Sequence, residues 1–337
     1  MKTVYFDVVS GASGDMILSS LIDCGVPLDY LRGELARLSL PGLTIDVEKQ
    51  KRNGISACHL VLHWDIPGAY RHVHQILDTI KSAHYPDRVY DRCETVIMRL
   101  GKAEAKVHDV PIENVHFHEI GAVDTIVDVA GICLALEYLD IGEILFSTLT
   151  DGRGMVLTAH GLMPVPVPAV AEMAQGFDLK LLDIDEELLT PTGCAVLTAL
   201  GRQRVSGFSG TITRCGYGCG SKLIDTSSAP NLLRVFLADA GADTLSAGET
   251  VCVIESDMDH ITGEIMGDVA SRLMTQGALD VSWTPLFMKK GRPGYRLTVI
   301  CTEDFAMRQA MVDAIMIGTR TLGVRFYSAR RTVAERT

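Results

Sequence analysis

Residues 4–22, VYFDVVSGASGDMILSSLI, decide the plan of the chain. The apolar run Val4–Val9 reads as a buried strand. The loop Ser10-Gly-Ala-Ser-Gly-Asp15 follows, and Met16, Ile17, Leu21 and Ile22 then fall on one helical face. Working outward, Pro27 opens a second helix, with Leu28, Leu31, Leu35 and Leu38 at helical spacing. Residues 43–63 read as a strand pair turned at Asn53-Gly54. Helices are expected near 70–82 and 87–109. A further helix, 122–139, is apolar nearly all round and must be buried. From 144 to 240, short strands and helices alternate. Residues 1–240 are therefore expected to form a mixed α/β (α+β) body.

The small, polar stretch from Ala238 to Gly248 marks a linker, placed at 241–249. After it the pattern gives strand 250–257, helix 261–276, strand 279–287, strand 295–301, helix 304–317 and strand 323–329. That order, β-α-β-β-α-β, is the ferredoxin-like plan, so 250–337 is read as a second domain. No internal repeat or low-complexity tract is present.

Composition narrows the function classes. Hydrophobic residues make up 47% of the 337 and charged residues 22%, as expected of a soluble chain with a real core. No apolar run is long enough to span a membrane, and Asp7 interrupts the only candidate for a signal sequence. Nine cysteines without framework spacing suggest free thiols and a cytoplasmic location. The net charge is −11, unevenly spread: residues 289–337 carry ten Lys and Arg against four Asp and Glu, leaving 21 against 38 before them. The acidic body disfavours nucleic acid, whereas the basic C-terminal segment suits a compact anion such as a nucleotide phosphate.

The residues that carry chemistry are concentrated. Val115–Gly131, VHFHEIGAVDTIVDVAG, places His116, His118, Glu119, Asp124 and Asp128 in an otherwise apolar stretch. Such groups are costly there unless paired or metal-bound. His116 and His118 share one side of an extended segment, and Asp124 and Asp128 share one face of the following helix. Together they suit a divalent metal or a cationic substrate. The Ser10–Asp15 loop lacks the Lys-Ser/Thr of a phosphate-binding loop, so Asp15, with Asp7 nearby, is read as holding a cation or orienting substrate.

His160–Ala169, with prolines at alternate positions, is read as a rigid wall or edge. Thr190-Pro-Thr-Gly193 reads as a helix start. Cys215-Gly-Tyr-Gly-Cys-Gly-Ser-Lys222 contains G-x-G-x-G without a following helix, which argues against a dinucleotide fingerprint and leaves Cys215 and Cys219 as a weak soft-metal pair. In the second domain, Lys289, Lys290 and Arg292 on a Gly/Pro loop suit a triphosphate. Asp257, Asp259 and Glu264 suit Mg²⁺ or Mn²⁺.

These motifs, with Ala103-Glu-Ala-Lys-Val-His108, Val115–Asp124, His160–Pro168 and Asn231-Leu-Leu-Arg234, run in order along almost the whole chain. Together they resemble the LarC family of nickel-insertion proteins in nickel-pincer cofactor biosynthesis. The resemblance implies a lyase-class cyclometallase that inserts Ni²⁺ into pyridinium-3,5-bisthiocarboxylic acid mononucleotide, forming one carbon–nickel and two sulfur–nickel bonds. It implies CTP as cosubstrate with Mn²⁺ or Mg²⁺, CTP binding by Lys289, Lys290, Arg292 and Arg325, and a C-terminal part that drives homo-oligomerisation. It also implies an apo target enzyme of the lactate racemase type. His116, His118 and Asp128 are the expected nickel ligands, Asp259 and Glu264 the expected ligands of Mn²⁺ or Mg²⁺, and Glu119, Asp124 and Asp15 the expected catalytic carboxylates.

The chain departs from the family at three places. The histidine-rich run before Arg71 is reduced to His63, with His72 and His74 after it. His260 replaces the second of two paired aspartates. The family usually continues beyond the position of Thr337, so a truncated terminal strand is expected. Two other functions fit part of the sequence. A non-catalytic nickel carrier explains the His/carboxylate cluster but not Lys289, Lys290 and Arg292. An amidohydrolase-type metal hydrolase fits the H-x-H but needs repeated β/α units and later histidine ligands.

Overall fold

Strand Lys2–Asp7 lies inside a seven-stranded open sheet, flanked on one side by Ile141–Phe146 in parallel and on the other by Leu232–Asp239 in antiparallel register. Five of its six residues are buried, as the apolar run requires. The sheet order is Arg202–Gln203, Ile141–Phe146, Lys2–Asp7, Leu232–Asp239, Ile212–Cys219, Ile55–His63 and Thr44–Arg52. This is a computed structural model, and it describes residues 2–65, 71–117, 123–158, 161–205, 208, 210–221, 230–239 and 249–331. The chain divides into two compact units, Met1–Gly241 and Ala242–Thr337.

In the first unit, helices Gly14–Asp23, Leu28–Ala36, Asp87–His108 and Val123–Tyr138 contribute to one continuous apolar core with the sheet. Val123–Tyr138 is buried over nearly its whole length, matching its all-round apolar sequence. It crosses Gly14–Asp23 closely, because a Cβ on Gly131 would lie 2.7 Å from Leu18 Cδ2. The hairpin Thr44–Arg52/Ile55–His63 turns at Asn53 and Gly54, both with positive φ. Gly161–Pro164 pairs only with Met155–Thr158 in a two-stranded sheet, so the proline-rich segment lies outside the main sheet, while His160 falls outside the described residues. The open sheet does not supply the closed parallel barrel that an amidohydrolase requires.

The glycines of the G-x-G segment have a packing role. A Cβ on Gly216 would lie 2.3 Å from the Ser20 carbonyl oxygen, and one on Gly218 2.0 Å from that of Met16. Strand Ile212–Cys219 therefore lies directly against helix Gly14–Asp23. The second unit has strands Glu249–Met258, Asp280–Phe287, Pro293–Thr302 and Arg325–Arg331 and helices Gly263–Thr275 and Phe305–Thr319. Its antiparallel sheet runs in the order Asp280–Phe287, Pro293–Thr302, Glu249–Met258, Arg325–Arg331 around its own core. No described helix is long and apolar enough to cross a membrane.

Candidate functional site

Three helix starts meet at one cleft of about 580 Å³ in the first unit. Helix Gly14–Asp23 brings Ser13, Gly14 and Asp15; helix Val123–Tyr138 brings Asp124, Thr125 and Asp128; helix Pro191–Leu200 brings Thr190, Pro191 and Thr192. The strand Ile55–His63 contributes His59, Leu60, Val61 and Leu62 to the wall, and Trp64, Glu187 and Ser221 complete it. Local sequence explains these positions. Thr190 caps its helix, accepting a hydrogen bond from Gly193 N at 3.3 Å, and Pro191 occupies the first turn, where its missing N–H has no cost. Backbone bonds Ala12 N to Leu188 O and Thr190 N to Ala12 O, both 3.0 Å, tie the two helix starts together. Fully buried Asp151 braces the neighbouring chain by accepting from Leu188 N at 2.8 Å and Leu189 N at 3.0 Å.

The cleft is an acidic trap. Asp15 accepts from Ser13 Oγ and, at 2.9 Å, from Met16 N, yet burial pushes its carboxyl above the usual range against those bonds. Burial likewise raises Asp124, whose Oδ1 accepts from Thr125 N at 2.8 Å. Asp128 is raised furthest in kind: burial comes first, and the charges of Asp15 and Asp124 add to it. Its buried Oδ1 has no hydrogen-bond partner among the described residues. Gly14 makes room for it, since a Cβ there would lie 2.3 Å from Asp128 Oδ2. An ionised, unpartnered carboxylate buried beside two others is expensive unless it takes up a proton or a cation or donor arrives.

Of the expected site residues, Asp15, Asp124 and Asp128 thus come together. His116 lies in strand His116–Phe117, whose backbone pairs with Arg71–His72, while His118 and Glu119 fall outside the described residues. Asp7 is not part of the cleft lining. It pairs across the sheet with Arg234, whose Nε lies 3.1 Å from Asp7 Oδ2. Cys219 is fully buried and Cys215 exposed, and among the described residues no three His, Cys, Asp or Glu side chains are grouped to hold a metal. His59, Trp64 and Glu187 had no motif to announce them, whereas Thr192 belongs to the Thr190-Pro-Thr-Gly193 helix start. Only the Thr190 helix start was readable.

The second unit has its own cleft, of about 540 Å³, lined by Asp257, Thr284, Leu286, Phe287, Met288, Lys289 and Arg296. Arg296 Nε donates to Asp257 Oδ1 at 2.7 Å, and Arg325 donates to Glu255 at 2.9 Å and Asp257 at 3.1 Å. These guanidinium groups, Arg296 foremost, hold the Asp257 carboxyl below its usual range. Arg292 does the same for Asp259 across 3.1 Å. Lys290 stands at φ 65° in the turn Lys289–Gly291. His260 Nε2 lies 2.9 Å from the Thr319 carbonyl oxygen and donates to it, so the imidazole is turned to a helix end. Glu264 is exposed in the first turn of its helix, where its charge favours the helix dipole.

Fold and clefts define a two-unit α/β protein with a buried carboxylate site in the first unit and a mixed arginine, lysine and carboxylate site in the second. The family model described as nickel insertion protein matches residues 4–337. The chain belongs to this nickel insertion protein family. It is 40% identical over 339 residues to a putative nickel insertion protein of Geotalea daltonii, covering 100% of this chain and 85% of that one. It is 38% identical over 341 residues to the pyridinium-3,5-bisthiocarboxylic acid mononucleotide nickel insertion protein of Staphylococcus epidermidis, covering 99% and 83%. A solved apo structure of LarC2, the C-terminal domain of a cyclometallase involved in the synthesis of the NPN cofactor of lactate racemase, aligns at 38% identity with a TM-score of 0.25, over 27% of this chain and 61% of that one.

Proposed function

We propose that the chain is a CTP-dependent cyclometallase that inserts Ni²⁺ into pyridinium-3,5-bisthiocarboxylic acid mononucleotide. The observation that carries this is Asp128, a buried carboxylate with an unpartnered oxygen facing two further carboxylates. Asp15, Asp124 and Asp128 draw the divalent substrate metal out of water. Helix Pro191–Leu200 has no acidic residue in its first turn, so the positive end of its dipole suits an anionic end of the precursor. Trp64 and Leu62 offer an apolar wall for the ring. As the carbon–nickel bond forms, the ring C–H electron pair passes to nickel and its proton to a carboxylate. Asp124 is the described residue assigned as that base, with Glu119 the neighbouring alternative.

The second cleft fits the nucleotide chemistry. Lys289 and Arg296 suit phosphates, Asp257 and Asp259 are hard donors for Mn²⁺ or Mg²⁺, and Phe287, 83% exposed, offers a stacking face. CTP, when bound there, supplies the phosphoanhydride free energy. Lys290, Arg292 and Arg325 add positive charge on the same unit, and Glu264 remains a candidate metal ligand. Exposed Phe305, Ile317 and Leu322 suit homo-oligomerisation of this unit, and the product's consumer is an apo enzyme of the lactate racemase type.

The test is product formation from purified protein, precursor, Ni²⁺, CTP and Mg²⁺, followed by mass spectrometry. The wild type is expected to yield the nickel adduct only when CTP is present. No adduct under these conditions overturns the assignment, and full activity in a Glu119→Gln, Asp124→Asn double variant removes both as the base.

A further inference from the structure

One imidazole in the acidic cleft has no role in the scheme above. His59, half-buried on strand Ile55–His63, lines the same cleft as Asp15, Asp124 and Asp128. Its Nδ1 lies 3.2 Å from the carbonyl oxygen of Cys219. A carbonyl only accepts, so Nδ1 carries the proton, and in the neutral ring Nε2 keeps a free lone pair. The acceptor is held firmly. Cys219 is the register partner of His59 in the sheet and is fully buried. A backbone acceptor cannot titrate, so tautomer and ring orientation are built into the strand pairing. Metal-binding imidazoles are held in this way, with the second nitrogen donating to a carbonyl or carboxylate. Asp15 is near enough to His59 for the two to interact electrostatically.

We propose that His59 Nε2 is a direct ligand of the nickel ion in this cleft and holds the metal while the precursor closes around it. The identity of the metal rests on the insertion function proposed above. Imidazole nitrogen suits nickel, and Ni²⁺ readily takes a planar set of four donors. The precursor itself supplies two sulfurs and one carbon, so a single protein nitrogen completes the set. A protein that must surrender its nickel holds it with few ligands and uses surrounding carboxylates for attraction.

The experiment uses the full chain as wild type, His59→Gln and His59→Ala. Ni²⁺ binding is measured by calorimetry without precursor, thermal melting checks the fold, and long-range ¹H–¹⁵N spectra of the wild type report the His59 tautomer with and without Zn²⁺ as a diamagnetic probe. The expected result is an Nδ1–H tautomer, a Zn²⁺-dependent shift at Nε2, and nickel affinity weakened about tenfold or more in both variants. An Nε2–H tautomer, an unmoved Nε2 signal, or undiminished affinity in the variants overturns the proposal. Insertion assays on the same proteins separate the two ideas. Wild-type product with undiminished affinity in the variants keeps insertion and removes His59. Lost affinity in the variants with no product from the wild type keeps His59 as ligand and removes insertion.

Discussion

Asp7 and Asp128 are both about nine-tenths buried, and their surroundings set them apart. Asp7 has an arginine across the sheet and is a structural ion pair. Asp128 has an oxygen with no partner and two carboxylates for neighbours. The sign of its effect on stability follows. Unfolded, an aspartate titrates near 3.8; folded, burial and the neighbouring charges raise Asp128 well above that. The folded state therefore holds the proton more tightly, and stability present below the unfolded value is lost as pH rises toward the folded one. Asp128→Asn is expected to raise the melting temperature by a few degrees at neutral pH, with the gain vanishing near about pH 4, as scanning calorimetry would register. The same variant is expected to lose nickel insertion by roughly 100-fold or more, because the trap loses its uncompensated charge. A melting temperature unchanged across that pH range would remove the burial argument. Asp15, Asp124 and Asp128 were legible in the sequence because charged residues in apolar or glycine-rich surroundings need a reason. His59 was not, since an alternating strand tolerates a half-buried histidine and its partner lies 160 residues away.

At the scale of elements, the cleft depends on how closely helices approach. Gly14 sits against Asp128, and four residues on, Leu18 sits against Gly131, so one helix crossing sets the placement of two carboxylates. Gly14→Ala puts a methyl where the Asp128 carboxylate lies. It is expected to cost about 1–3 kcal/mol in denaturant unfolding and to weaken nickel binding in calorimetry. Gly218→Ala meets the Met16 carbonyl instead and is expected to cost stability on the same scale, about 1–3 kcal/mol. If both variants unfold with wild-type midpoints, the close approach carries no energetic weight. Most elements were readable. Alternation around Asn53-Gly54 gave the hairpin, Thr190-Pro191 gave a helix start, and the second unit's strands and helices fell within a few residues of expectation. The G-x-G segment gave a negative and a weak soft-metal pair but not its packing role, because the helix that requires those glycines lies about 200 residues earlier in the chain. Which strand lies beside which is set by contacts too distant in sequence for local pattern to carry.

For the whole molecule, charge is partitioned. The first unit gathers carboxylates around a cleft, and the second interleaves them with arginines and lysines. The two chemistries are expected to separate in titration. Lys289→Ala with Lys290→Ala should weaken CTP binding by at least about tenfold at low salt, with nickel affinity unchanged. Nickel affinity falling in step with CTP affinity would contradict that partition.

The sheet has a further consequence for how such a protein is made. Strand Lys2–Asp7 is sandwiched between Ile141–Phe146 and Leu232–Asp239, and the carboxylate cleft draws on positions near 14, 125 and 190. Contacts of such long sequence separation close late, once the intervening chain is present. A ribosome-bound chain that has emerged only through its first helices owns Asp15 but not the trap. The cleft is complete only once the chain near Thr190 and Ser221 has joined the helix starts near 14 and 125, so a chain broken before them lacks the assembled cleft.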